Sequence, residues 1–236
     1  MKILLTNDDG LHSEGLAVLL EKAKNIGEIT VVAPLSEQSC KSHGIEVKKP
    51  FAVKKFGLEG AAETYAVDST PADCVRFAIE ALGKSFDLVL SGINRGFNLG
   101  KDILYSGTVG ACFEAAAFGV KAVAVSTFPE TPYVARRELE KIYSLFAERD
   151  LLSLADVYNV NIPEDPKGIL FTRQGGPYYR DHFMDLKDGT YIQHGYCAYE
   201  SSGDLSFDTD AVMNGYISVS PLTTERTDLN AFEKLK

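Results

Sequence analysis

The sequence has no run of basic residues, no apolar stretch approaching the ~18 residues of a membrane span, and no CxxC pair. Each absence excludes a class. Lys plus Arg number 24 against 33 Asp plus Glu, a net charge of −9. So acidic a chain with no basic patch is a poor partner for duplex nucleic acid or an anionic membrane. The four cysteines (Cys40, Cys74, Cys112 and Cys197) are scattered, which disfavours a zinc or thioredoxin-like motif and predicts small buried hydrophobes. Only three apolar residues separate Met1-Lys2 from Thr6-Asn7-Asp8-Asp9, too few for a secretory h-region. A soluble, cytoplasmic protein is expected. With 236 residues, 45% of them hydrophobic and 24% charged, the chain has the composition of one large globular domain or of one with an appendage.

Short apolar runs rich in β-branched residues predict strands at Ile3–Thr6, Ile29–Ala33, Leu88–Ser91, Ala122–Ser126 and Val157–Ile162. Continuous apolar character suits strands covered on both faces, as in a parallel sheet. Helical spacing links Leu16, Leu19, Leu20 and Ala23, then Val75, Ala78, Ile79 and Leu82, then Leu139, Ile142, Tyr143 and Phe146. Thr70 and Pro71 give the second of these a start signal. Residues Gly110–Phe118 are apolar nearly all round, the mark of a buried helix. Alternating strands and helices imply an α/β, doubly wound, mainly parallel sheet flanked by helices. Residues 35–68 break the rhythm, and strand-like pieces at Ile45–Val47, Ala52–Phe56 and Thr64–Val67 predict a small inserted sheet or hairpin. After Pro163 the texture changes: six of the eleven tyrosines lie in residues 164–236, with little helical periodicity before the last residues. We expect a core over 1–163 and β-hairpin and C-terminal extension arms over 164–236, which either pack within the chain or form an oligomer contact.

Four segments follow predicted strands and carry candidate chemistry. Thr6-Asn7-Asp8-Asp9-Gly10 sets two carboxylates side by side, either as a plain turn or as ligands for a hard divalent cation. Ser39, Lys41 and His43 lie in the polar loop after the second strand. Ser91-Gly92-Ile93-Asn94-Arg95-Gly96-Phe97-Asn98-Leu99-Gly100 combines flexible glycines with two carboxamides, yet it is neither a dinucleotide fingerprint nor a P-loop. Ser106-Gly107-Thr108-Val109-Gly110 enters the buried helix, either as an ordinary N-cap or as a phosphate cradle of N–H and hydroxyl donors. Loops after parallel strands emerge at one edge of a sheet, so the four segments together suit a metal-assisted phosphoryl site.

These motifs (TNDDG, AP…QS, SGINRGFNLG and YSGTVGACFEA) resemble the SurE, or stationary-phase survival protein, family. The resemblance is strong over residues 1–126 and weaker through Asp210–Val212 and Gly215–Leu222. It implies a Rossmann-like core whose C-terminal arms are exchanged in a homodimer or homotetramer. It also implies a 5′/3′-nucleotidase that hydrolyses nucleoside monophosphates with one Mg2+ or Mn2+ per subunit. By resemblance the metal ligands are Asp8, Asp9, Ser39 and Asn94. Asp8 or Asp9 would orient the attacking water, while Asn7, Asn98, Ser106, Gly107 and Thr108 would hold the substrate phosphate. Two positions depart from the family: Cys40 follows the ligand serine where many relatives have Gly or Ala, and Leu229 stands four residues after Glu225 where some bacterial members have a histidine. His43 is a substitute candidate for that missing acid. The alternatives are a non-catalytic nucleotide sensor and a receiver-type Mg2+-binding module. The receiver needs an acceptor Asp where Ser91 ends its strand, and a haloacid-dehalogenase-type pair needs a carboxylate where Gly10 stands.

Overall fold

The computed structural model describes residues 1–129 and 132–236. Its first apolar runs become the middle of a sheet because helices cover both of their faces. β1 (Lys2–Thr6) and β2 (Glu28–Pro34) pair in parallel with Ile3 opposite Ile29. Between them, α1 (Glu14–Ala23) begins at Ser13, whose hydroxyl accepts the Leu16 N–H. β3 (Val53–Phe56) and β4 (Glu63–Val67) follow. α2 (Pro71–Arg76) is capped by Thr70 and continues as a π-helical turn over Phe77–Ala81. β5 (Leu88–Arg95) takes the other edge of β1, and a 3-10 turn over Gly100–Tyr105 leads into α3 (Gly107–Ala117). β6 (Lys121–Thr127), α4 (Pro132–Glu148), the short α5 (Leu151–Leu154) and β7 (Val157–Ile162) complete the alternating part. The rest comprises β8 (Ile169–Phe171), β9 (Tyr179–Asp185), β10 (Tyr191–Cys197), α6 (Asp208–Met213), β11 (Ile217–Leu222) and α7 (Leu229–Leu235).

Among the described residues, nine strands form one sheet in the order β3-β4-β2-β1-β5-β6-β7-β11-β8. From β4 to β7 the neighbours are parallel, while β3 and β11 run antiparallel to β4 and β7. Side chains alternate across the pleat: Ile3 and Leu5 join the core under α1 and α4, and Leu4 joins the core under α2 and α3. The chain steps from β1 to β2 and β4 on one side, then returns to β5 on the other. The strand order therefore reverses between β1 and β5, where open α/β sheets bind ligands at their carboxyl ends.

Several expectations change. Ile45–Val47 is loop: Ile45 and Val47 are exposed, and the Glu46 N–H goes to Asp73 Oδ2 at 2.9 Å rather than to a strand. The strand-like pieces at 52–56 and 64–67 form no separate sheet. β4 lies on the free edge of β2 and β3 lies on β4, which extends the main sheet. Cys74 and Cys112 are buried as expected, whereas Cys40 and Cys197, on a loop and on the hairpin, are exposed. Past residue 163, β9 and β10 do form a hairpin outside the sheet, with Tyr179, Phe183, Tyr191 and Tyr196 exposed. β8 and β11 instead join the main sheet, Val219 pairing with Val160. No helix among the described residues is long and apolar enough to cross a membrane.

Candidate active site

β1 delivers Asn7, Asp8 and Asp9 to the carboxyl edge of the sheet, at the reversal of strand order. Asn7 builds the turn. Its Nδ2 donates to the Gly10 carbonyl at 2.9 Å and to Ser13 Oγ at 2.7 Å, while its Oδ1 is buried without a partner. Gly10 takes φ 96°, which a side chain would oppose. Asp8 is 6% exposed and accepts the Thr108 hydroxyl at 2.5 Å. Burial pushes its carboxyl up to about 6; the Thr108 hydroxyl opposes the rise and the charge of Asp9 adds to it. Asp9 is also raised, first by burial, against the opposing Arg95 N–H at 3.2 Å and with the added charge of Glu37. The Arg95–Asp9 bond bridges β5 and the end of β1, across the reversal point.

The loop after β2 reaches the same edge. The Gln38 N–H donates to the Asp8 carbonyl at 2.7 Å. Ser39 is exposed, and its hydroxyl donates to Glu37 Oε1 at 2.6 Å. Asn94, next to last in β5, is half-buried, with its Nδ2 on the Gly96 carbonyl at 2.7 Å. Its side-chain oxygen is not consumed by that bond.

α3 closes the site from the opposite face. Ser106 is its N-cap and accepts the Val109 N–H at 3.0 Å, which leaves the hydroxyl proton available. Thr108 points its hydroxyl at Asp8 rather than outward, so it tunes the carboxylate. Gly107 permits this approach, because a Cβ there would lie 3.0 Å from Asp8 Cβ and 3.1 Å from Asp8 Oδ2. The N-terminus of α3, whose dipole favours negative charge, thus faces the buried Asp8 carboxylate, with the half-buried Asp9 next to it in the chain.

Asn98 is held by residues that carry no motif in the sequence. Its N–H donates to Asn161 Oδ1 at 2.9 Å. Its carbonyl accepts Asn159 Nδ2 at 2.8 Å and Asn161 Nδ2 at 3.0 Å. Its own Nδ2 donates to Ser126 Oγ at 2.8 Å. Ser126, Asn159 and Asn161 are fully buried on β6 and β7. Asn94, Ser126 and Asn161 are successive register partners across β5, β6 and β7. Polar side chains in strand interiors cost free energy unless paired, and that is the signal which marks them. Asp208 adds a further tie: its carboxylate accepts the Gly100 N–H at 3.0 Å and the Gly175 N–H at 2.7 Å. Glu225 lies on the exposed C-terminal stretch and accepts the Thr227 N–H, and Leu229 is 58% exposed.

The donor set fits a hard divalent cation. Adjacent carboxylates held up by burial and by nearby negative charge, together with an orphaned buried Asn7 Oδ1, are oxygen acceptors short of positive charge. No cluster of three or more His, Cys, Asp or Glu side chains able to hold an ion occurs among the described residues. The candidate set is therefore two carboxylates completed by neutral oxygens.

The family model described as Survival protein SurE matches residues 3–181. The curated protein named 5′-nucleotidase SurE from Thermoanaerobacter sp. (strain X514) is 40% identical over 240 residues, covering 98% of this chain and 95% of that protein. The chain belongs to the SurE family. A second curated SurE, from Thermosipho melanesiensis and also named 5′-nucleotidase, is 37% identical over 246 residues and covers 100% of this chain and 96% of that protein. The crystal structure of the SurE protein from Aquifex aeolicus superposes with a TM-score of 0.79 at 33% identity, covering 100% of this chain and 98% of that one. The loops that carry Asp8 and Asp9, Ser39, Asn94 and Ser106 all lie within the matched residues 3–181.

Proposed function

We propose that this SurE-family protein is a metal-dependent 5′/3′-nucleotidase that cleaves nucleoside monophosphates to nucleoside and phosphate. The observation that carries the proposal is the adjacent Asp8–Asp9 pair, Asp8 buried against the N-terminus of α3 and Asp9 half-buried on the Arg95 N–H of β5. An acidic chain repels a phosphate ester unless cationic charge is supplied between the two. Asp8, Asp9, Asn94 and Ser39 would hold one Mg2+ or Mn2+ per subunit, with Ser39 turning from Glu37 to do so. A bound divalent cation neutralises phosphate charge and lowers the pKa of water. Asp8 or Asp9 orients the attacking water. Phosphate oxygens face the Gly107 N–H, the Ser106 hydroxyl and the carboxamide of Asn98, donors fixed before the reaction begins. Thr108 serves this site by holding Asp8.

His43 gives no free acid here, because its Nε2 lies 2.5 Å from Glu114 Oε2. The exposed aromatic hairpin of β9 and β10 supports a reading of that part of 164–236 as an arm that joins copies of the chain into a homodimer or homotetramer, while β8 and β11 extend the core expected over 1–163. A cytoplasmic location belongs to the same reading. The test is a panel of 5′- and 3′-phosphate esters of adenosine and guanosine with Mg2+, Mn2+ and Ni2+, read as inorganic phosphate. Release from nucleotides that stops with EDTA is expected. Nucleotide binding without release under every metal would favour the sensor reading instead.

A further inference from the structure

We infer that Glu114, acting through His43, is a positioning residue for the loop that carries Ser39. This deepens the proposed function and rests on its reading of Ser39 as an oxygen donor to the divalent cation. The loop from Glu37 to Gly44 has no regular secondary structure, and two of its non-glycine residues take left-handed angles, Cys40 at φ 59° and Ser42 at φ 55°. Each such residue is strained and persists only where its surroundings over-determine it. At one end the loop is tied by the Gln38 N–H on the Asp8 carbonyl. At the other end the Ser42 N–H donates to the Tyr105 carbonyl at 3.0 Å and its hydroxyl to the Leu104 carbonyl at 2.6 Å. His43 then bonds Glu114, and its ring lies 6.3 Å from that of Phe113.

Glu114 is a carboxylate buried in an otherwise uncharged helix. Burial tends to raise it, but His43 and Arg76 outweigh that and hold it below the usual range. Arg76 takes one oxygen at 2.6 Å and His43 takes the other. A buried charge is retained only when it is so paired. One helical turn earlier on the same face, Gly110 leaves the space the loop fills: a Cβ there would lie 2.3 Å from the Ser42 carbonyl oxygen. α3 therefore grips two pieces of the site. Thr108 at its start fixes Asp8, and Glu114 two turns later fixes the far end of the Ser39 loop. The helix thus sets the spacing between Asp8 and Ser39.

The experiment is a double-mutant cycle on Mn2+ affinity, read from free Mn2+ by electron paramagnetic resonance on the full chain. The proteins are wild type, Glu114→Gln, Ser39→Ala and the double variant. Glu114→Gln should weaken Mn2+ binding by at least about threefold, short of the ~10–100-fold of a direct outer-shell partner. In the Ser39→Ala background the same substitution should change affinity by less than about 1.5-fold, since its route to the ion is gone. If Ser39→Ala alone leaves the affinity unchanged, the metal-ligand reading of Ser39 fails, and the positioning of that loop loses its purpose. If Ser39→Ala weakens binding while Glu114→Gln does not, or acts equally in both backgrounds, Glu114 does not position Ser39. Should Glu114→Gln fail to fold, His43→Ala, which leaves the Glu114–Arg76 pair intact, takes its place in the cycle with the same expected and contrary results.

Discussion

Replacing Asp8 by Asn should abolish divalent-metal binding and yet stabilise the metal-free protein. Asp8 is 6% exposed, and its carboxyl is raised from 3.8 to about 6, chiefly by burial. A carboxyl that binds its proton more tightly when folded favours the folded state at low pH. That contribution is full below about pH 4 and is lost as pH rises through about 6. Above that pH the ionised, buried Asp8 costs ~3 kcal/mol, at ~1.4 kcal/mol for each unit of pKa. Asn keeps an acceptor for the Thr108 hydroxyl and removes the charge. In EDTA at pH 7.5 the variant should therefore melt higher by up to ~6–12 °C, using ~2–4 °C per kcal/mol for chains of this length. Near pH 4 the two proteins should converge. With Mn2+ at a hundredfold excess over Kd the wild type should regain ~2.7 kcal/mol and the variant almost nothing. The assay is thermal unfolding with and without EDTA at both pH values. A metal-free variant no more stable than wild type at pH 7.5 would show that Asp8 is not a destabilised buried charge, and the argument for a compensating cation would fail.

Three further outcomes follow from the same geometry. Thr108→Val removes the hydroxyl that opposes protonation of Asp8; Mn2+ affinity at pH 6.5 should fall roughly tenfold, for a charge-assisted bond of ~1.5–3 kcal/mol, and should recover in part at pH 8.5. Asn161→Asp turns a carboxylate oxygen on the Asn98 carbonyl; kcat/KM for nucleotides should drop ~10–100-fold, from ~1–3 kcal/mol of lost pairing, while Mn2+ affinity is unchanged by calorimetry. Phe183→Asp with Tyr191→Asp places charge on an exposed hairpin face, so light scattering should show a species near the 25.8 kDa of one chain where the wild type is larger.

Legibility in the sequence tracked the range of the interaction. The runs that became β1, β2, β5, β6 and β7 were plain because burial on both faces leaves an uninterrupted apolar string. The capped start of α2 was plain because Thr70 and Pro71 act locally. Ile45–Val47 looked like a strand and is not, because strand formation needs a partner edge and β4 and β3 occupy the edge of β2. β8 and β11 stayed hidden for the converse reason: β11 depends on pairing with β7, more than fifty residues before it, and β8 depends on pairing with β11. α6 has six residues, too few to show a helical stripe. In the site, the loops were visible as motifs, but their supports were not. Ser126, Asn159, Asn161 and Glu114 interrupt apolar segments, and only the fold shows what each one holds. The sequence likewise cannot show that Thr108 turns inward to Asp8 while Ser106 caps its helix.

The most direct test is anomalous diffraction at the manganese edge from crystals soaked in Mn2+. One peak per chain is predicted between Asp8 and Asp9, within coordination distance of Asn94 and of a Ser39 hydroxyl that has left Glu37. A peak elsewhere, or none at saturating Mn2+, would contradict the account.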